Sequence, residues 1–170
     1  MEERKIEKIA SLLTTGLVIY LSLQNTDNWQ AVGIYSGCSL QNRFLYSFYH
    51  ANVLHAALNA WCLVSVVFIY DITVWRLFLA FIISASVPID SMGQIIPGLE
   101  SPTVGLSGVV FFLFGSISFE VLRKWYYQLW MMFYILIGFI FPNTNAWLHL
   151  YCYTAGFLFA LLNKPIKIRQ

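Results

Sequence analysis

The sequence predicts an all-α membrane protein, a bundle of six transmembrane helices with both termini in the cytoplasm. Its composition is the first observation: 59% of the 170 residues are hydrophobic and only 11% are charged. The mean hydropathy of +0.67 is the second, and apolar stretches of near membrane-spanning length are the third. Soluble domains carry about 25% charged residues, so this composition excludes an ordinary soluble fold.

Six apolar stretches approach the roughly 20 residues that a helix needs to cross a bilayer. They use most of the chain, so residues 1–170 are expected to form a single membrane domain with no second, soluble domain. The first stretch follows basic residues as a signal peptide does, but no small-residue cleavage site follows Leu23, which favours a retained helix. The approximate bounds of the six spans are 6–23, 48–70, 74–89, 103–121, 125–141 and 146–162.

Basic residues indicate the orientation of this bundle. Nine of the ten Lys and Arg residues fall on one side of the six predicted spans, and only Arg43 falls on the other. Because loops rich in Lys and Arg stay in the cytoplasm, both termini are expected there. The net charge of +2 reflects these anchors, and no basic patch suggests a nucleic-acid partner. The cytoplasmic set is Arg4, Lys5, Lys8, Arg76, Arg123, Lys124, Lys164, Lys167 and Arg169.

A serine stands between two glycines inside an apolar run, in Gly105-Leu106-Ser107-Gly108. A polar residue in a membrane span is costly unless it has a task, although a lone serine is more often a helix-packing residue. All three histidines, His50, His55 and His149, also fall within apolar stretches. A serine and a histidine together can act as nucleophile and base.

The predicted topology brings these polar residues to one depth. The second, fourth and sixth spans all enter from the outer face. His50 and His55 are expected in the first turns of the second span, with Ser107 and His149 near the starts of the other two. Each then lies within roughly 10 Å of its helix start. His55 and Asn59 are four residues apart and share a helix face, whereas His50 points elsewhere.

Two further features favour contact between Ser107 and His149. Pro102 and Thr103 are typical of a helix start, which places Ser107 near the beginning of the fourth helix. Small residues at helical spacing below His149 would allow its helix to approach closely. The small residues of that helix are Cys152, Gly156 and Ala160, while Gly105 and Gly108 on either side of Ser107 would clear space for the contact.

These groups predict peptide hydrolysis by a serine–histidine dyad. His149 would take the proton from Ser107 as its hydroxyl attacks a peptide carbonyl, then return it to the leaving amine. The Ser107 backbone N–H and the side chains of His55 and Asn59 would stabilise the oxyanion, with the Leu106 backbone as a further candidate. No Asp or Glu lies at this depth on the three spans, which favours a dyad over a triad.

Metal chemistry has less support in the sequence. An HExxH motif is absent, and three histidines are too few for a di-iron site. The three cysteines are too few and too scattered for a disulfide framework or a zinc site. The GxGD motif of membrane aspartyl proteases is also missing. No metal and no organic cofactor is expected.

Taken in order, these motifs resemble those of the rhomboid family of intramembrane serine proteases, close to its minimal six-helix bacterial form. His50-x4-His55-x3-Asn59 matches the family's HxxxxHxxxN on the second helix, and residues 105–108 match its GxSG on the fourth. His149 matches the histidine base on the sixth helix. The resemblance implies Ser107 as nucleophile and His149 as base. It implies His55, Asn59 and the Ser107 N–H as oxyanion donors, which are the roles that the residue types also suggest.

The resemblance also implies roles for supporting residues. His50 would be structural and would tie the first loop to the second helix. Arg43 resembles the arginine that orders a loop half-submerged in the outer leaflet, but Asn42 precedes it where the family usually has tryptophan. Phe111 stands where many members carry a tyrosine on which the histidine stacks.

As implied by the resemblance, the substrates are transmembrane proteins cleaved near the outer ends of their segments, in contact with membrane lipids. The protein would be a multi-pass protein of the bacterial inner membrane, with its active site opening toward the outer face. The oligomeric state stays open. We also expect Pro142-Asn143-Thr144-Asn145 to act as a movable cap above His149, while the fifth helix gives way to substrate.

Three alternatives remain at this point. An inactive rhomboid-like protein would bind transmembrane segments without cutting them, although the intact Ser107 and His149 argue against it. A sorting-type rhomboid would trim carboxy-terminal anchors from its substrates. A small transporter is less favoured, because the spans lack an inverted repeat and a polar site at mid-bilayer.

Overall fold

The computed structural model describes residues 5–24, 26, 28–141 and 144–163. Within these ranges the chain is helical and contains no β-strand, which confirms the predicted all-α class. A short 3-10 turn occupies Trp29–Ala31. The α-helices are α1 (Lys5–Ser22), α2 (Leu40–Leu45), α3 (Val53–Ile69), α4 (Val74–Ala85), α5 (Ile89–Gly93), α6 (Ser107–Ser116), α7 (Lys124–Gly138) and α8 (Ala146–Leu162).

The second predicted span begins later than expected. Asn52 is the N-cap of α3 and its side chain accepts the N–H of His55 at 2.8 Å, so the helix starts at Val53. His50 therefore lies in the loop before α3 and not in the first turn of a helix, which corrects the sequence expectation. Asparagine at this position favours a cap because its side chain replaces the missing helical acceptor.

The third and fourth predicted spans also differ from the helices. The third predicted span ends earlier than residue 89, because α4 stops at Ala85. Pro88, which has no N–H to continue the helix, separates α4 from α5. The fourth helix begins at Ser107, not at Pro102 and Thr103. Thr103 instead forms an isolated antiparallel bridge with Ile34. The residues before the serine are thus extended loop.

The apolar helices differ in length. One helical stretch of the described chain, Val74–Gly93 with 20 residues, is long and apolar enough to cross a membrane, and it contains α4 and α5. Three others, α3, α6 and α8, are apolar but shorter. The arrangement of six spans therefore stays a prediction.

Helix α6 lies at the centre of the bundle and packs against α3, α4 and α8. Its contact with α8 is closest where Gly115 and Gly156 cross. A Cβ on Gly115 would stand 2.7 Å from the Phe157 nitrogen, and one on Gly156 would stand 3.0 Å from the Ser116 nitrogen. Only glycine permits this backbone contact. It aligns the first turns of the two helices, where Ser107 and His149 lie.

The bundle has two ends of different character. The loop end comprises residues 28–52, α5, residues 95–106 and the start of α8. The basic end comprises the starts of α1, α4 and α7 and the carboxy-terminal ends of α6 and α8. Val74 N–H donates to Glu7 Oε1 there at 3.2 Å, which joins α1 to α4. Of the basic residues predicted to be cytoplasmic, Arg4, Lys164, Lys167 and Arg169 lie outside the described residues.

At the basic end, Arg76 is buried in the first turn of α4 and not in a connecting loop. Its Nε donates to Ser116 Oγ at 2.9 Å, and its guanidinium also bonds the Ser116 carbonyl. An ion pair of 2.6 Å joins it to Glu120, and its charge lies over the Phe159 ring at 5.8 Å. One side chain thereby links α4, α6 and α8.

Candidate active site

Ser107 and His149 meet at the loop end, where α6 and α8 both begin. Ser107 is the first residue of α6 and His149 lies in the first turn of α8. The distance between Ser107 Oγ and His149 Nε2 is 2.8 Å. In the tautomer with hydrogen on Nδ1, the serine hydroxyl donates to Nε2, which is the arrangement that a general base requires.

The start of α8 is set by Asn145. Its side-chain oxygen accepts the N–H of Leu148 at 3.0 Å and caps the helix. Its amide Nδ2 donates to Thr103 Oγ1 at 3.2 Å. One side chain therefore joins the helix that carries His149 to the loop that leads into Ser107. Of the predicted cap, Pro142 and Asn143 lie outside the described residues.

The imidazole of His149 stacks on the ring of Phe111, one turn after the serine. Their centroids are 4.2 Å apart and their planes differ by 11°. Such a stack limits rotation of the imidazole and keeps Nε2 directed at Ser107. The ring of Phe111 supplies this contact although it lacks a tyrosine hydroxyl.

Gly105 lets the chain turn sharply into α6. Its φ of +140° is in the region that favours glycine. A Cβ there would stand 2.9 Å from His55 Cε1. The Gly105 N–H donates to the Tyr46 carbonyl at 2.9 Å. Glycine is therefore required at position 105 both by backbone conformation and by the close approach of His55.

His50 contacts the segment before α6, and not only its own loop. Its Nε2 accepts the N–H of Leu106 at 3.0 Å. The resemblance had implied a tie between the first loop and the second helix, whereas the observed bond joins that loop to the residue preceding Ser107. It also means that the Leu106 N–H is already engaged and is not a free oxyanion donor, which corrects that expectation.

His55 and Asn59 lie on one face of α3, four residues apart. The His55 ring meets the His50 ring edge to face at 5.0 Å. Asn59 is buried. Its Nδ2 donates to the His55 carbonyl at 3.0 Å. This bond uses one of the two amide hydrogens, so the second remains as a donor.

Arg43 anchors the first loop without a preceding tryptophan. Its guanidinium donates to Asp90 Oδ2 at 2.6 Å and to the Val87 carbonyl at 2.8 Å. The other oxygen of Asp90 accepts the Gly37 N–H at 2.7 Å. Asp90 was not found by sequence reasoning, because no local motif links it to an arginine 47 positions earlier.

Asn42 holds the inside of the same loop. This buried side chain donates through Nδ2 to the Gln30 carbonyl at 2.6 Å and to the Gly33 carbonyl at 2.9 Å. The residue that departs from the family pattern is thus itself an anchor. The loop in turn contacts the segment before Ser107, since Ser36 N–H donates to the Leu99 carbonyl at 2.8 Å.

Among the described residues, no group of three or more His, Cys, Asp or Glu side chains is arranged to hold a metal ion. The cysteines Cys38, Cys62 and Cys152 are free thiols. The reactive groups that meet at this site are the Ser107 hydroxyl and the His149 imidazole.

Comparison with family models gives one match over most of the chain. The Rhomboid domain model matches residues 37–165, from the first loop to beyond the end of α8. The chain belongs to the rhomboid family. Proteins of this family are embedded in membranes and are generally serine intramembrane proteases. In this rhomboid protein, α1 precedes the matched range. Comparison with curated proteins and with solved structures found no match.

Proposed function

We propose that this rhomboid protein is an intramembrane serine endopeptidase that cleaves peptide bonds in or near the transmembrane segments of membrane proteins. Ser107 is the nucleophile and His149 is the general base. The observation that carries the proposal is the 2.8 Å contact between Ser107 Oγ and His149 Nε2. Family membership supports it, because rhomboid proteins generally act as proteases of this kind.

In the first half of the reaction, the Ser107 oxygen attacks the scissile carbonyl while its proton passes to His149 Nε2. The tetrahedral intermediate then collapses as the imidazolium gives that proton to the leaving amine, which leaves an acyl group on Ser107. Water, activated by the same imidazole, hydrolyses the ester and restores the serine. Stacking on Phe111 keeps the imidazole in place for each proton transfer.

The oxyanion is stabilised by three donors in this proposal. They are the backbone N–H of Ser107 and the side chains of His55 and Asn59. Because Ser107 is the first helical residue, its N–H has no partner within α6. Leu106 is left out because its N–H is bonded to His50. Removing one such donor typically costs about 100-fold or more in rate.

We also propose the membrane arrangement. Residues 1–170 form one domain of six spans with approximate bounds 6–23, 48–70, 74–89, 103–121, 125–141 and 146–162. Both termini are in the cytoplasm of a bacterium, and the site opens toward the outer face of its inner membrane. Support comes from Arg43 at the loop end and from Lys8 and Arg76 at the opposite end. The chemistry uses no metal or organic cofactor.

The experiment that tests the proposal is labelling of the detergent-solubilised protein with a fluorescent fluorophosphonate. We expect wild type to be labelled and Ser107→Ala and His149→Ala to remain unlabelled while still folded. Asn59→Ala should keep the label and lose peptidase rate, because the nucleophile is intact. Cleavage of a transmembrane substrate in liposomes should follow the same order.

Two outcomes would contradict the proposal. Full substrate cleavage by Ser107→Ala would exclude the nucleophile. A folded wild type that is neither labelled nor able to cut substrates in liposomes would favour the non-cleaving binder of transmembrane segments.

A further inference from the structure

Tyr46 contacts the chain on both sides of Ser107. It follows the last residue of α2, and its side chain is completely buried, with 0% exposure. Its backbone carbonyl accepts the Gly105 N–H at 2.9 Å, two residues before the serine. Its ring extends beneath α6 and brings the phenol hydroxyl against Gly108, the residue directly after the serine. A Cβ on Gly108 would stand 2.7 Å from that hydroxyl.

The hydroxyl of Tyr46 bonds Ser84 of α4. It donates to the Ser84 carbonyl at 3.0 Å and also contacts the Ser84 hydroxyl. In an α-helix the Ser84 carbonyl would accept the N–H four residues later, but residue 88 is proline and has none. Tyr46 thus satisfies a carbonyl that the end of α4 leaves without its helical donor.

This arrangement places a rigid support under the first turn of α6. Ser84 has 0% exposure, so the phenol and its partner are both shielded from solvent. A buried hydroxyl that lost its partners would cost free energy, which holds the ring in one position. The position of this ring limits how closely Gly108 can approach α4. The Tyr46 carbonyl determines where Gly105 lies, through its hydrogen bond with the Gly105 N–H. Ser107 is held between these two points.

We propose that Tyr46 is a positioning residue for the peptidase reaction. It fixes the backbone before and after Ser107, and through that backbone it directs the Ser107 N–H at the oxyanion and the Ser107 hydroxyl at His149. The inference rests on the proposed peptidase function. It adds a residue outside the serine, histidine and asparagine motifs, and it couples α4 to the nucleophile.

A purely structural role makes a different prediction from a positioning role. Removing the hydroxyl would then lower the stability of the fold and leave the turnover of folded molecules unchanged. Tyr127 offers a matched control for this distinction. Its hydroxyl donates to the Phe114 carbonyl at 2.6 Å, near the other end of α6. Tyr46→Phe and Tyr127→Phe therefore each remove one hydroxyl that bonds a carbonyl near the end of a helix.

The test measures kcat, KM and the unfolding temperature of wild type, Tyr46→Phe, Ser84→Ala and Tyr127→Phe on one transmembrane substrate. We expect Tyr46→Phe to lower kcat about tenfold or more with little change in KM, since small displacements of a nucleophile are costly. Ser84→Ala should lower kcat in the same direction. The double variant Tyr46→Phe/Ser84→Ala should lose less than the product of the single losses, because both changes remove the same contact. Tyr127→Phe should keep the wild-type kcat.

The outcomes separate the two proposals. An active wild type with a folded Tyr46→Phe variant of unchanged kcat would overturn this inference and leave the proposed function standing. An equal loss of kcat in Tyr127→Phe would overturn it too, because the loss of any tyrosine hydroxyl that packs against α6 would then have the same effect. A wild type inactive in every assay would overturn the proposed function and this inference with it.

Discussion

At the basic end, one buried arginine joins three helices through charge, whereas at the loop end backbone groups and neutral side chains hold the serine. Arg76 bonds Ser116 and pairs with Glu120 at 2.6 Å. The loop end instead uses N–H groups of the residues preceding the serine, which bond the Tyr46 carbonyl and the His50 ring. Arg43 and Asp90 form an ion pair at that end, which joins the first loop to α5.

From this difference we expect the basic end to contribute mainly to stability and the loop end mainly to catalysis. An ion pair tolerates small shifts of its two groups, because Coulomb attraction falls slowly with distance. Short hydrogen bonds to backbone N–H groups are directional, so they define where each atom of Ser107, the proposed nucleophile, lies. Substitutions at the basic end should therefore change mainly the free energy of unfolding, and substitutions at the loop end should change mainly the rate.

The largest effect is expected for Gly105→Ala. The added Cβ would stand 2.9 Å from His55 Cε1, and φ of +140° disfavours alanine. Displacing the segment before Ser107 should lower kcat by more than about 100-fold. Gly98→Ala is the matched control, since Gly98 has φ of +91° but nothing within 4 Å of an added Cβ. Substrate cleavage in liposomes measures both variants, and equal losses would show that backbone strain alone explains the effect.

A pair of arginine substitutions tests the comparison directly. Arg76→Met should lower the free energy of unfolding by about 2 kcal/mol, because it removes the buried arginine from its ion pair with the partly exposed Glu120. The same change should leave kcat unchanged. Arg43→Met should lower kcat about threefold to tenfold as the first loop loosens, with a smaller change in stability. Thermal unfolding in detergent and initial rates measure the two quantities. A reversed pattern would contradict the division between the two ends.

A modest effect on kcat is expected at Phe111. Phe111→Leu removes the stack on His149 and should cost about 1 kcal/mol of transition-state stabilisation, or roughly fivefold in kcat. Phe111→Tyr keeps the ring and should stay within about twofold of wild type. Fluorophosphonate labelling rates check both variants. A leucine variant as fast as wild type would show that Asn145 and the α6–α8 contact suffice to orient the imidazole.

Much of the fold could be predicted because helices are encoded locally. Apolar stretches of near membrane-spanning length predicted the bounds of α1, α7 and α8 to within about three residues. The pairing of Ser107 with His149 could also be predicted, since both stand at helix starts that the predicted alternation of spans would bring together. Gly156 gave a further signal, because small residues at helical spacing favour close helix contact.

The supports of the site could not be predicted in the same way. Tyr46 and Asp90 act on residues 38 to 59 positions away along the chain, and no spacing rule connects such positions. The start of the fourth helix was placed too early, because the bridge between Ile34 and Thr103 overrides the helix-start signal of Pro102. The engagement of the Leu106 N–H by His50 likewise depends on where a loop returns.

The sequence by itself determined the helical class, the rhomboid motifs and the residues that can react, because composition, periodicity and residue chemistry are properties of short stretches. Only the tertiary structure decided which backbone N–H groups remain free, which residue replaces the missing tryptophan anchor, and what lies beneath the first turn of α6. Those features depend on distances between segments far apart in the chain. Such distances are set by the packing of the whole bundle, not by any local pattern.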